Sequence, residues 1–177
     1  MTSRPLHVAV LLGSVRPGRF GPVVGSWFAD RVEGRDDLTV DLVDLAVPEQ
    51  LTARLAAADA FVVVTPEYNH SYPGRLKEVI DAHFVEWQAK PVGFVSYGGL
   101  SGGLRAVEHL RAVFAELQAV TIRETVSFHG GSQRFTAEGQ PHDRADCDAA
   151  AHRLLDQLAW WGHALRDARA ARPYAAA

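Results

Sequence analysis

The chain has 177 residues, 47% hydrophobic and 22% charged, with a formal net charge of −3 and a single cysteine, Cys147. This length and composition suit one globular domain, expected over residues 1–171 with a disordered tail at 172–177. The weak acidity argues against a nucleic-acid or anionic-membrane surface. One cysteine excludes an internal disulfide and a cysteine-rich metal site. No apolar run reaches the roughly 18 residues that span a bilayer. Residues 1–5 lead straight into a strand, too short a stretch for a signal-peptide core, so the cytoplasm is the expected location.

Short β-branched runs alternate with helical patterns along the whole chain. Strands are predicted at Leu6–Leu12, Leu38–Asp44, Ala60–Thr65, Pro91–Tyr97 and Ala119–Val126. Val8–Leu12 and Val62–Val64 are continuously apolar, as in strands covered on both faces. A helix is predicted to start near Pro22, with Val23, Val24, Trp27 and Phe28 on one side, and a short one after Pro48. A third runs from about Pro73, with Leu76, Val79, Ile80 and Phe84 at helical spacing; a fourth follows Gly103. A terminal helix is expected over about Arg144–Arg169, and Ser127–Asp143 reads as a polar excursion: a lid, a partner contact or a mobile segment. This order implies a three-layer α/β sandwich, a five-stranded parallel sheet with helices on both faces. The strand count suits the flavodoxin-like order 2-1-3-4-5, whose ligand sits at the carboxyl ends of the strands.

Three strand-to-helix loops carry unusual chemistry. The first, Gly13-Ser14-Val15-Arg16 with Pro17, Gly18 and Arg19, combines backbone amides, a hydroxyl and guanidinium groups. By itself such a string fits either a phosphate cradle or a solvated connection. The second, Pro66-Glu67-Tyr68-Asn69 through Tyr72 and Pro73, holds two aromatic residues between two stiffening prolines, an arrangement suited to a flat heterocycle. The third has four glycines within Gly98–Gly103, beside Tyr97 and Ser101, so its backbone can approach a ligand closely or simply cap the strand. Strands one, three and four are neighbours in the expected order, which brings the loops together.

Taken together, these three strings resemble the NADPH-dependent FMN reductase family, which includes quinone, azo-dye and chromate reductases on a flavodoxin-like fold. The resemblance spans about Leu6–Val126, and Pro66-Glu67-Tyr68-Asn69 is its most specific element. It implies bound FMN, with NADPH or NADH as co-substrate and a quinone, azo compound or free flavin as acceptor. It implies that Ser14, Arg16 and Arg19 hold the FMN phosphate. Pro66, Glu67, Tyr68 and Asn69 would line the isoalloxazine, and Tyr97, Gly98, Gly99 and Ser101 would edge its other side. Many relatives place a Ser and an Asn after the phosphate-loop arginine; here Arg19 and Phe20 stand there, so Phe20 is a further candidate, facing the ring, a partner subunit or the core. The flavin does the chemistry, so no catalytic side chain is assigned. A homodimer or homotetramer is implied, with Phe84, Val85 and Trp87 as an expected exposed contact.

Gly99-Leu100-Ser101-Gly102-Gly103 also satisfies Gly-x-Ser-x-Gly, the elbow of serine hydrolases, with Asp143 or Asp146 and His152 or His163 as conceivable partners. A non-enzymatic electron carrier or flavin sensor is the other rival. The eight histidines are scattered, so no metal site is expected. Arg105, Glu108, His109 and Arg111 read as a solvated helix face.

Overall fold

A computed structural model describes residues 4–47 and 49–174. In chain order the elements are β1 (Leu6–Leu12), α1 (Gly21–Glu33), β2 (Leu38–Asp44), α2 (Leu51–Ala57), β3 (Ala60–Pro66), α3 (Gly74–Asp81), β4 (Pro91–Gly98), α4 (Leu104–Glu116), β5 (Val120–His129) and α5 (Arg144–Ala171). All neighbouring strands pair in parallel, in the order β2-β1-β3-β4-β5. This is the flavodoxin-like sheet expected from the sequence.

The pleat sorts the apolar strand residues into two cores. Leu6, Val8, Val10, Val62, Val64 and Val95 pack on one face under Trp27 and Phe28 of α1 and Leu154, Leu155 and Leu158 of α5. Ala9, Leu11, Phe61, Val63, Val92 and Phe94 pack on the other under Leu55 of α2, Leu76 and Ile80 of α3 and Leu110 and Phe114 of α4. Each central strand is thus buried on both sides, which is why its sequence is continuously apolar rather than alternating.

The structure corrects several expectations. α3 stops at Asp81, so the helical spacing expected to run on to Phe84 does not extend that far. Phe84 and Val85 are exposed, but Trp87 is fully buried between Phe61 and Phe114, with ring centroids 4.7 and 5.5 Å away, and its indole N–H donates to the Ile80 carbonyl at 3.2 Å. Trp87 is therefore a core residue and leaves the expected subunit contact. β5 runs three residues past Val126, to His129, and absorbs the start of the polar excursion. The remainder folds back through a short antiparallel bridge between Phe135 and Pro141. Phe135 is buried against Phe128, Phe20 and Trp27, so this segment is packed onto the body by an aromatic anchor.

The face of α4 is also less solvated than its charges suggested. The β4–β5 register shifts between Val92 and Phe94, which takes β5 carbonyls off the ladder. Arg111 donates to two of them, Ile122 O at 2.6 Å and Arg123 O at 3.1 Å, with its guanidinium over the Phe94 ring. Of the expected tail, residues 175–177 lie outside the described residues, as do residues 1–3 and Pro48.

Candidate functional site

The loops after β1, β3 and β4 leave the same edge of the sheet. Leu12 is in register with Val64, and Pro66 with Tyr97, so the three loops rise side by side. The first is tethered at its root by Gly13 N–H donating to Val64 O at 2.9 Å. A Cβ at Gly13 would meet Leu76 Cδ2 at 3.1 Å, which explains a glycine where the loop crosses α3. Gly18, at φ +66°, turns the chain toward α1. Ser14 is buried, and its hydroxyl shares a 2.6 Å hydrogen bond with the Tyr68 hydroxyl. The Arg16 guanidinium lies 3.6 Å from the centre of the Tyr68 ring, a close cation–π contact.

Arg19 and Phe20 have distinct places. Arg19 forms an ion pair with Asp44, the last residue of β2, and both side chains are largely buried. Phe20 packs edge-on to Tyr97 and Phe135, so among its three expected environments it borders the core.

The second loop is a tight reverse turn. Tyr68 N–H donates to Ser71 O at 2.8 Å and Ser71 N–H to Tyr68 O at 3.0 Å. Its central residues Asn69 and His70 have φ of 52° and 68°, the left-handed pair of a type I′ turn that asparagine tolerates well. The third loop is folded onto β4 and β5. Ser96 and Ser127 both donate to Gly102 O, at 2.8 and 2.9 Å. A Cβ at Gly102 would come within 2.4 Å of Ser127 Oγ, and one at Gly103 within 2.7 Å of Ser96 Cβ. Both glycines also have positive φ, so these two positions admit no side chain.

Glu67 joins the second loop to the third. Its side chain is only 7% exposed. It accepts hydrogen bonds from Ser101 Oγ at 2.6 Å, Arg105 Nε at 2.5 Å and the Arg105 backbone N–H at 3.2 Å. Burial alone would raise its pKa, but the Ser101 and Arg105 hydrogen bonds and the Arg105 charge outweigh burial and hold the carboxyl below its ordinary range. With Ser14–Tyr68 joining the first loop to the second, one chain of side-chain contacts runs across all three.

These contacts leave many backbone donors free. Among the described residues, the N–H groups of Ser14, Val15, Arg16, Gly18, Phe20 and Gly21 meet no protein acceptor, and neither do those of Asn69, His70, Leu100, Ser101 and Gly102. α1 begins without a side-chain cap. A cluster of open amides at a helix start suits an anion, and amides from two further loops suit the acceptor-rich edge of a polar ring system.

The family model for NADPH-dependent FMN reductase matches residues 6–133. The chain belongs to this family. It is 31% identical to a quinone reductase of Escherichia coli, over 90% of this chain and 95% of that one. It is 35% identical to a NAD(P)H-dependent FMN reductase of Schizosaccharomyces pombe, over 54% of this chain and 60% of the relative, so that match spans less than two thirds of the yeast protein. Among solved structures, a flavoenzyme NAD(P)H:acceptor oxidoreductase from Paracoccus denitrificans superimposes with a TM-score of 0.71 at 21% identity, covering 90% of this chain and 98% of that one.

The hydrolase alternative finds no support in the geometry. The side-chain partner of Ser101 is the Glu67 carboxylate, and no histidine among the described residues bonds to it. Asp143 is paired with Arg134, while His152 and His163 lie on α5. Two participants were missed from sequence. Arg105 was read as solvated, although it stands one residue into α4, beside the glycine loop. Asp44 had a usable signal: it ends the strand that pairs with β1, in register with Leu12.

Proposed function

We propose that this chain is an FMN-dependent NAD(P)H oxidoreductase whose acceptor is a small quinone. Membership of the FMN reductase family supports the activity class. The observation that carries the site is the convergence of three loops with uncommitted amides on one sheet edge. FMN, when bound, supplies the transfer of two electrons from a nicotinamide to the acceptor.

The protein's own residues bind and orient. Ser14, Arg16 and the start of α1 hold the phosphate, with Arg19 kept in place by Asp44. The Pro66–Asn69 segment lines one side of the ring, and Gly98, Gly99 and Ser101 edge the other. Glu67 fixes the distance between those two walls through Ser101 and Arg105. The open amides of the glycine loop stabilise negative charge at the ring's polar edge.

The chain works as a homodimer or homotetramer in the cytoplasm. Phe84, 47% exposed, and Val85, 68% exposed, provide apolar surface for the subunit contact. No helix of the described chain is long and apolar enough to cross a membrane. Azo compounds and free flavin are alternative acceptors at the same open face. Steady-state oxidation of NADPH and NADH with a benzoquinone acceptor tests the reading. Sustained turnover with ping-pong kinetics is expected; FMN-loaded protein with negligible turnover would make it a carrier or sensor instead.

A further inference from the structure

Tyr97, expected to border the ring, carries its hydroxyl toward the first turn of α1. The side chain lies on the α1 face of the sheet, in the core formed with Val24, Trp27 and Phe28. Tyr97 is 6% exposed, and its hydroxyl is fully buried without a hydrogen-bond partner. The hydroxyl reaches the first turn of α1: a Cβ on Gly21 would fall 2.9 Å from it. Ser14 Oγ lies close enough to lower the Tyr97 pKa slightly, but its 2.6 Å hydrogen bond is made with the Tyr68 hydroxyl, and no hydrogen bond of good geometry reaches the Tyr97 hydroxyl.

A second buried donor beside that helix start has no partner either. Arg19 gives a guanidinium NH2 to Asp44, but its Nε stays buried and unpaired. Only one other described side chain, Trp27, leaves a buried polar atom unpaired in this way. A buried donor without an acceptor is costly, and native proteins rarely tolerate one. Here two of the three stand around one uncapped helix terminus, next to amides of Phe20 and Gly21 that also lack acceptors. Burial pushes the Tyr97 pKa well up, and the Tyr68 hydroxyl nearby adds to the rise, against smaller opposing effects of Arg19 and Ser14. The phenol therefore stays protonated and can only be a donor where an anion is concerned.

We infer that Tyr97 is a phosphate ligand: its hydroxyl and Arg19 Nε donate to the FMN phosphate at the start of α1, from the core side, opposite the solvent-side Arg16. Gly21 is a glycine because a Cβ there would push that hydroxyl away. Phe20 packs edge-on to the Tyr97 ring and fixes its direction.

The inference rests on the flavin reading above, so the test compares two flavins that differ only in the phosphate. The full chain, stripped of flavin, is titrated with FMN and with riboflavin by fluorescence quenching. Tyr97→Phe is expected to weaken FMN binding about 10-fold, the worth of one hydrogen bond to a charged group, and to leave riboflavin affinity unchanged. Arg19→Lys keeps a cation for Asp44 but removes Nε, and should show the same selectivity should the Tyr97 variant fold poorly. Equal losses for both flavins would place the hydroxyl on the ring or its sugar-like chain and overturn the inference. Unchanged FMN affinity would overturn it too. A wild-type chain that binds neither flavin would overturn the flavin reading itself.

Discussion

The two edges of the sheet treat buried charge in opposite ways. At the amino edge, Asp59 is 4% exposed, and among the described residues no buried side-chain nitrogen or oxygen beside it lacks a partner. It accepts from His7 N–H at 3.0 Å and Arg4 at 3.0 Å, with Arg166 at 3.6 Å and Arg169 at 3.8 Å. Lys90, also buried, donates to the carbonyls of Leu55 and Ala56 at the end of α2, both at 3.1 Å. At the carboxyl edge, by contrast, donors outnumber acceptors: loop amides, the Tyr97 hydroxyl and Arg19 Nε all lack partners. One end is closed among its own residues and serves stability. The other presents unpaired donors that suit an electron-rich ligand.

The contrast is sharpest in a pair of substitutions. Asp59→Ala leaves the His7 amide without its acceptor and removes the buried anion beside Arg4, Arg166 and Arg169, and should cost about 3 kcal/mol of stability in denaturant melts while leaving FMN affinity unaltered at temperatures where the chain is folded. A fall in FMN affinity in the folded variant would erase the division between the two edges. Glu67→Gln keeps the shape of the strut but loses its charge. It should weaken FMN and riboflavin alike by about 5-fold, near 1 kcal/mol, and speed amide exchange at Gly99–Ser101, with little change in global stability. Because the native carboxyl titrates below its ordinary range, the strut is intact above that range and is lost only as pH falls through the lowered value.

The amino edge also carries a pH signature. Burial, and then the Arg169 charge, push the Lys90 pKa down to about 8, against weaker opposing pulls from Asp59 and Glu86. The unfolded chain then holds the proton that the native chain has released, so this group adds stability as pH rises from about 8 toward the normal lysine range near 10.4. The thermal midpoint of the native chain, relative to Lys90→Met, should rise across that interval. A flat difference would show that Lys90 is an ordinary solvated amine.

The sequence was most legible where a repeated physical constraint acts on consecutive residues. The strands could be read because burial on both faces demands apolar side chains at every position, as at Val62, Val63 and Val64. The loop residues could be read because glycine and proline report backbone geometry directly; Gly102 and Gly103 are there because no Cβ fits. Trp87 escaped because its burial depends on how the chain turns after Asp81, which periodicity does not encode. Arg105 and Arg111 escaped for a related reason: charge suggests solvent, while the carboxylate and the displaced carbonyls that capture them lie 38 and 11 residues away in the chain. Tyr97 was assigned to the site from its position beside the glycines, but the direction of its hydroxyl depends on three elements meeting.

The central claim is that the carboxyl edge is one site for one flavin, and a visible-absorption titration of the flavin-free chain with FMN tests it most directly. The account predicts saturable uptake of one FMN per chain, giving a yellow protein that retains its colour through gel filtration. A folded chain that stays colourless in excess FMN would contradict it.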